Sequence, residues 1–258
     1  AGTPTAPKPG RRSRARLVGD VLLLIGGLLL SYPYWSSAYA HVQQGRLDES
    51  YERAADTFLA AAEAQEKPRG VSPEERVRRL ATAFAATLET GDPVGKLKIA
   101  AIDLNRTVQH GVRGPQSLDP DGDRALLRNG PVHYGDTPLP GTGEPFAVSG
   151  PRTTYGAPFN RPHELEPGHK ILVDPPYARF RYAVAKLTVV EPTDTGVLLD
   201  RGYGLVLTTC TPMYSASRRL IVWAKLISFT VFDERARRAV GTAGHPLPGS
   251  SISPAAAP

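Results

Sequence analysis

Residues 203–224 read Tyr203-Gly-Leu-Val-Leu-Thr-Thr-Cys210-Thr-Pro-Met-Tyr-Ser-Ala-Ser-Arg-Arg219-Leu-Ile-Val-Trp-Ala224. Two apolar, β-branched runs flank a centre of proline and small polar residues, which predicts a strand, a turn and a returning strand. Such a hairpin brings Arg219 near Cys210. A fixed cation there favours a thiolate and is able to stabilise the oxyanion of acyl transfer. The alternative is a buried cysteine beside an unrelated surface arginine.

Strand-like runs separated by Gly, Pro and Asp continue upstream and downstream of this hairpin. Lys96-Leu97-Lys98-Ile99 alternates with period two, as a half-buried strand does. The predicted strands are Lys96–Ile99, Thr107–His110, Phe146–Val148, Lys170–Val173, Phe180–Val190, Val197–Leu199, Tyr203–Thr209 and Arg219–Phe232. We therefore expect a mainly β fold, a closed or nearly closed and mainly antiparallel barrel over residues 93–236. Short helices are expected near Asp123–Arg128 and Arg161–Leu165.

An apolar segment stands near the start of the chain. Leu17–Trp35 reads LVGDVLLLIGGLLLSYPYW, and a helix of that length spans about 28 Å, close to the hydrocarbon thickness of a bilayer. Arginines precede it and aromatic residues close it, as the positive-inside rule and the aromatic belt require. We expect a basic cytoplasmic tail over residues 1–16 and a transmembrane anchor over 17–36. The protein then lies in the cell membrane as a single-pass chain, with its N-terminus inside and the β domain extracellular.

A cleaved signal peptide is the rival interpretation of this segment. Ala38-Tyr39-Ala40 has the small-x-small form that signal peptidase cleaves. Both interpretations export everything after residue 40. Residues 37–92 are predicted to form a helical stalk or appendage with two segments, Tyr51–Ala64 and one that Ser72 opens. Residues 237–258 are rich in Gly, Pro, Ser and Ala, and we expect them to be disordered.

The charge distribution argues against nucleic-acid binding. The chain carries a net charge of +6, but residues 1–16 contain five basic and no acidic side chains, so the rest is nearly neutral. A nucleic-acid binder concentrates its basic residues on the folded domain. Composition excludes a collagen, a coiled coil and a multi-span membrane protein. Asp119–Asp123 lacks the far glutamate of a calcium loop, and no zinc spacing is present, so neither metal nor cofactor is expected.

Cys210 is the single cysteine of the chain and has no disulfide partner within it. In an exported protein such a thiol is a nucleophile, an intermolecular partner or a buried structural residue.

The hairpin resembles the signature of sortases, the membrane-anchored cysteine transpeptidases of Gram-positive bacteria. That signature is a TLxTC-like strand followed about nine residues later by an arginine, here Cys210 and Arg219. Upstream motifs agree in order and spacing: Gly130-Pro-Val-His133-Tyr134, Leu139-Pro-Gly141, Phe146-Ala-Val-Ser-Gly150, Arg152-Thr-Thr-Tyr155-Gly-Ala-Pro-Phe159 and Leu165-Glu-Pro-Gly168. The Arg152–Phe159 block is most similar to class E sortases. Ser31-Tyr-Pro-Tyr-Trp35 is more similar to class C, the pilus-building sortases.

The resemblance implies a sortase-type closed β-barrel and a mechanism. Cys210 attacks the Thr–Gly bond of an LPxTG-type or LAxTG-type sorting signal and forms a thioester. An amine of lipid II or of a pilin lysine then resolves it. Arg219 holds the substrate or the oxyanion, and Thr208, Thr209 and Tyr155 are expected to line the peptide groove.

The sequence departs from the family at residue 151. Sortases of this type have Gly-His-Arg-Thr-Thr-Tyr-Gly, in which the histidine protonates the leaving amine, whereas this chain has Pro151. Proline has no proton to donate. Three explanations stay open: an altered residue, an inactive relative of active sortases, or rescue by another histidine. We assign the missing role to no other histidine, and His133 is expected to be structural. A different function is also open, namely a non-catalytic sortase-fold module that binds sorting signals or assists an active sortase.

Overall fold

The structure is a computed structural model, and it describes residues 12–65, 70–111, 124–143 and 145–232. Most of the predicted basic tail, the Asp119–Asp123 segment and the predicted disordered tail lie outside the described residues.

Eight strands close into a barrel, which confirms the predicted fold class. They are β1 (Pro93–Ile99), β2 (Leu104–His110), β3 (Val132–His133), β4 (Phe146–Ser149), β5 (Lys170–Asp174), β6 (Ala178–Val190), β7 (Leu205–Thr211) and β8 (Arg218–Val231). Around the barrel they follow the order β1-β2-β3-β4-β7-β8-β6-β5. The pairs β2–β3 and β4–β7 are parallel and the others antiparallel. The long pairing of β6 with β8 forms the back of the barrel.

Alternating side chains fill the barrel interior. Leu205 and Leu207 of β7 point into a continuous apolar core with Phe146, Val148 and Val222. The intervening residues of β7 point outward, and Val206 joins a second, smaller apolar cluster outside the barrel. Because side chains alternate faces along a strand, this register fixes which face the end of β7 presents.

Two elements differ from the sequence-based prediction. Val197–Leu199 was expected as a strand, but Thr195–Leu198 forms a 3₁₀ turn. Its buried residues Val197 and Leu198 pack on the outer cluster instead of pairing in the sheet. Strand β3 has two residues, too short for a periodic pattern. It nevertheless links β2 to β4 and so closes the barrel. The short helices expected near residues 123–128 and 161–165 are present as α3 (Arg124–Leu127) and a 3₁₀ turn at Pro162–Glu164.

Helix α1 runs without interruption over Arg12–Gln65 and contains Pro33. It is the one helix in the described part of the chain that is long and apolar enough to cross a membrane. The predicted anchor and the first predicted helical segment are thus parts of a single helix. No strong breaker stands between Pro33 and Tyr51, so the helix continues through the boundary that composition suggests.

The second half of α1 lies against the barrel. The Tyr51 hydroxyl donates to the Asp174 carbonyl at 2.6 Å, and the Gln44 amide bonds the backbone of Thr107 and Asn129. Helix α2 (Pro73–Ala85) begins at the N-cap Ser72, whose hydroxyl accepts from the Glu75 N–H. Its buried face, Val77, Leu80, Ala81 and Phe84, joins the barrel core. Residues 37–92 are therefore packed on the barrel over much of their length.

Candidate active site

Strands β7 and β8 form the predicted hairpin, and Cys210 lies directly opposite Arg219 in it. Opposite residues of an antiparallel pair have their Cβ atoms about 4.5–5.5 Å apart on the same face of the sheet. Thr211 and Arg218 form the next pair and close the base of the turn at residues 212–217. Cys210 is partly exposed, so its thiol is accessible at the strand end.

A cavity of about 500 Å³ opens over this pair. It is lined by Arg124, Leu127, Ser149, Gly150, Pro151, Arg152, Thr153, Thr154, Tyr155, Thr209, Cys210, Tyr214, Ser215, Ala216 and Arg219. Five of the six residues singled out from the sequence thus meet at one cavity: Cys210, Arg219, Pro151, Thr209 and Tyr155. They come from β7, β8 and the loop after β4, which parallel pairing of β4 with β7 brings together.

The guanidinium of Arg219 is buried and held by the turn it follows. Its Nη1 donates to the carbonyl oxygens of Ala216 and Arg218 at 2.8 and 3.1 Å. A buried cation fixed by main-chain acceptors is preorganised, so it interacts with a developing negative charge without first reorienting.

The loop that carries Pro151 is fastened to β7. Gly150 donates its N–H to the Thr208 carbonyl at 3.1 Å, and the Thr209 hydroxyl donates to the Gly150 carbonyl at 2.8 Å. A Cβ at position 150 would lie 2.6 Å from the Phe159 ring, so only glycine fits. Residue 151 is thereby held at the wall of the cavity, and its pyrrolidine ring supplies no proton donor there.

Arg152 is a residue of the cavity to which the sequence analysis gave no role. It is buried, and its Nη1 donates to the carbonyl oxygen of Cys210 at 2.8 Å. With Arg124 and Arg219 it gives the cavity three guanidinium groups, and no aspartate or glutamate is among the described lining residues. The sequence feature that could have pointed to Arg152 as a site residue is its place in the Arg152–Phe159 block, next to the position of the expected histidine.

Thr208 lies outside this lining, unlike the other predicted groove residues. It is buried, and its hydroxyl hydrogen-bonds the Tyr134 hydroxyl at 2.7 Å. Thr208 points to the outer face of β7, where Tyr134 belongs to the second apolar cluster. The Tyr155 hydroxyl bonds Tyr32 of α1 at 3.1 Å. This bond, together with partial burial, raises the pKa of the Tyr155 phenol.

The described histidines stand away from the cavity lining. His110 and His133 form a buried pair with 3.1 Å between their Nδ1 atoms, and His133 Nε2 bonds the Thr137 carbonyl at 3.0 Å. His169 accepts from the Glu166 N–H, and His41 and His163 are exposed; His245 lies outside the described residues. Within the described ranges, no group of three or more His, Cys, Asp or Glu side chains is arranged to hold a metal.

The comparisons with known proteins agree with this arrangement. The family model of the sortase domain matches residues 97–227, about half of the chain. Sortase SrtE1 of Streptomyces coelicolor is 26% identical over 243 residues, which cover 86% of this chain and 60% of that relative. The chain therefore spans less than two thirds of SrtE1. Sortase D of Bacillus subtilis is 30% identical over 145 residues, 54% of this chain and 67% of that relative.

Among solved structures, a sortase D5 transpeptidase of Clostridium perfringens has the same fold, with a TM-score of 0.51 at 22% identity. The match covers 70% of this chain and 97% of that structure. The family match, the class E relative and the closed barrel lead to one conclusion: the chain belongs to the sortase family.

Proposed function

We propose that the chain is a cysteine transpeptidase that cleaves LPxTG-type or LAxTG-type sorting signals and joins the released protein to a cell-wall or pilin amine. The observation that carries this proposal is the register of β7 and β8, which sets Cys210 opposite the buried Arg219 beneath the cavity.

The first step is acyl transfer to the cysteine. The thiol of Cys210 gives its proton to solvent, its sulfur attacks the carbonyl carbon of the Thr–Gly bond, and the carbonyl oxygen takes the negative charge of the tetrahedral intermediate. The guanidinium of Arg219 stabilises that oxyanion. The intermediate then collapses with cleavage of the C–N bond, and the departing glycine amine takes up a proton.

The second step returns the thiol. An amine from lipid II or a pilin lysine attacks the thioester carbonyl, the new amide bond forms and the C–S bond breaks. The thiol recovers the proton that the amine loses. One amide replaces another, so the cycle needs no oxidant, reductant or cofactor. In this mechanism Thr209 and Tyr155 contact the peptide. Thr208 does not contact it and instead holds β7 through its hydrogen bond to Tyr134.

Pro151 impairs the first step. The expelled amine needs a proton, and general acid assistance is commonly worth about 10²–10⁴ in rate. The described residues that line the cavity include no histidine to give it. The amine then depends on water for its proton, so we expect slow acylation in an otherwise assembled site.

The location follows from α1. Residues 17–36 cross the membrane with the N-terminus inside, residues 37–92 connect this anchor to the barrel, and residues 93–236 form the extracellular catalytic domain. The exposed leucines of α1 and the aromatic residues Tyr34 and Trp35 support this arrangement.

The test is intact-protein mass spectrometry of the full chain with LPxTG and LAxTG peptides, for the protein itself and Pro151→His in parallel. We expect an acyl adduct on Cys210 in Pro151→His and a turnover about 100-fold or more above that of the parent protein, as a restored general acid provides. Cys210→Ala is the control that must stay unmodified. No adduct in either form, with the fold intact, would refute the proposal and favour the non-catalytic peptide-binding module.

A further inference from the structure

We propose that α1 is part of the active site as well as its anchor, and that its stripe Tyr32–Ala40 positions the cavity loop Pro151–Ala157. This inference rests on the proposed function in one respect, since it takes α1 as the membrane anchor.

The cavity loop has an unusual backbone that needs external support. Tyr155, Gly156 and Ala157 have φ angles of 54°, 73° and 41°, three consecutive residues in the left-handed region. Two of them carry a Cβ, which this region disfavours. Strained backbone of this kind persists only where the surrounding structure over-determines it.

Arg152 fastens the start of the loop to the Cys210 carbonyl, and the backbone bonds nearer to Tyr155 stay within the segment itself. Ala157 donates its N–H to Thr154 at 2.9 Å, and Phe159 donates to Pro151 at 3.1 Å. The first bond closes a local turn, and the second joins the two ends of the segment from residue 151 to residue 159. Neither of them ties Tyr155, whose side chain lines the cavity, to the rest of the protein.

Helix α1 supplies contacts from the outer side. The Tyr32 and Tyr155 hydroxyls lie 3.1 Å apart and share a hydrogen bond. A Cβ built on Gly156 would stand 3.6 Å from the Cβ of Ala40, which is ordinary van der Waals contact. Ser36, one turn away from each, is 5% exposed and Ala40 is 4% exposed.

These residues form one stripe of the helix. Positions 32, 36, 40 and 44 are four apart and share a face, and Gln44 extends the contact to the backbone of Thr107 and Asn129. Tyr34 and Trp35 lie off this stripe and are 80% and 71% exposed. The helix therefore has a docked face and a free face at the same height.

The docking sets the height of the cavity above the membrane. Tyr34 and Trp35 belong at the membrane–water interface, and Tyr32 is two to three residues away, about 3–5 Å along the helix axis. Tyr155 contacts Tyr32, so the rim of the cavity lies at the level of the lipid headgroups.

A disulfide tests the docked arrangement directly in the full chain reconstituted in lipid nanodiscs. Ala40→Cys and Gly156→Cys are combined with Cys210→Ser, because the present Cβ separation falls within the range of about 3.5–4.5 Å found in disulfides. We expect oxidation to cross-link this pair. The matched control pairs Ala38→Cys with Gly156→Cys, since Ala38 is exposed on the free face. Absence of the first cross-link, or equal formation of both, would overturn the inference.

A second measurement avoids any new strain at Gly156. Cys210 is the sole cysteine, so its alkylation by iodoacetamide in the full chain reports on the cavity without requiring turnover. Tyr32→Phe removes the bond to Tyr155, and we expect alkylation to become about 2–10-fold faster, as one net hydrogen bond allows. The thermal midpoint should fall by no more than about 2–4 °C. Tyr155→Phe should have the same effect, and the double variant no more than either alone.

Tyr34→Phe is the matched control on the free face and should leave the alkylation rate unchanged. A rate for Tyr32→Phe equal to that of Tyr34→Phe would contradict the positioning role. Because neither experiment depends on peptide cleavage, their failure contradicts the docking alone. A missing acyl adduct in the peptide experiment contradicts the proposed function alone.

Discussion

Arg218 and Arg219 are adjacent in sequence, yet they have opposite environments. Arg219 is buried, lines the cavity and is fixed by two main-chain carbonyls. Arg218 is exposed and reaches only the exposed Glu191, at 3.5 Å. Alternation along β8 produces this difference, because neighbouring residues of a strand point to opposite faces. Arg219 therefore faces the cavity, whereas Arg218 faces solvent.

Arg219→Lys should impair acylation although the charge is kept. A lysine cannot reproduce the planar fork that bonds two carbonyls while facing the substrate, and loss of an oxyanion-stabilising group typically costs about 10²–10³ in rate. The rate at which the acyl adduct forms, with Arg219→Lys combined with Pro151→His, measures this loss. Arg218→Lys is the matched control and should change the rate little; equal losses in both variants would contradict the assignment of Arg219.

At the scale of elements, Asp174 joins four of them. Its carboxylate accepts from Nε and Nη2 of Arg179 at 2.7 Å each, and Lys98 lies 3.5 Å from it. Its carbonyl accepts from Tyr51. Strands β1, β5 and β6 and helix α1 thus meet at one buried residue. Since Asp174 has little contact with water, removal of either Asp174 or Arg179 would leave a charge of this ion pair without its partner in a poorly solvated place.

Asp174→Asn should destabilise the protein by about 3 kcal/mol, because it leaves the partly buried Arg179 guanidinium without its counter-charge. Chemical denaturation followed by near-UV circular dichroism measures the free energy of unfolding. Glu191→Gln removes the acid of the exposed pair with Arg218 and should stay within about 0.5 kcal/mol of the parent. Equal effects would mean that burial does not govern these ion pairs.

Tyr177 predicts how stability responds to alkaline pH. Burial raises the pKa of its phenol well above the ordinary value, with smaller contributions from Tyr182 and Tyr51. The hydroxyl donates to the Pro140 carbonyl at 2.7 Å, so the folded state keeps the proton. An unfolded tyrosine loses it near pH 10, about its ordinary pKa. The unfolded state then binds fewer protons, and stability falls as pH rises above that value.

Tyr177→Phe should therefore flatten the decline in the free energy of unfolding between about pH 9.5 and 11. Below that range the variant should be somewhat less stable, through loss of the bond to Pro140. Tyr214→Phe, at an exposed position, should retain the parent's slope. An unchanged slope in Tyr177→Phe would show that other groups govern the alkaline response.

For the whole molecule, α1 carries the residues that contact the cavity loop, so its retention or cleavage affects the site. Cleavage after Ala40 would remove Tyr32 and Ser36 and so uncover the loop that lines the cavity. We expect the protein extracted from membranes to retain the residues before His41, and intact mass measures this. A chain that begins at His41 would contradict the anchor.

Local patterns predicted most of the barrel and the Cys210–Arg219 hairpin, because alternation and turn residues act over short distances. Long-range pairing was less visible. Strand β3 is recognised only by its pairing with β2 and β4. Arg152 is recognised only by its hydrogen bond to the carbonyl of Cys210, 58 positions away. The unbroken α1 was missed because polar residues interrupt its apolar run without interrupting the helix.

The cross-strand pair at the base of the β7–β8 turn lies between Cys210 and Arg219 on one side and the turn residues that line the cavity on the other. Thr211 and Arg218 fasten the turn just above Cys210 and Arg219, while Tyr214, Ser215 and Ala216 beyond them line the cavity. Substitutions at Tyr214 or Ser215 reshape that wall while the Ala216 carbonyl that holds the Arg219 guanidinium stays in place. The ligand preference proposed for the cavity is thus open to change while Cys210 and Arg219 stay in register.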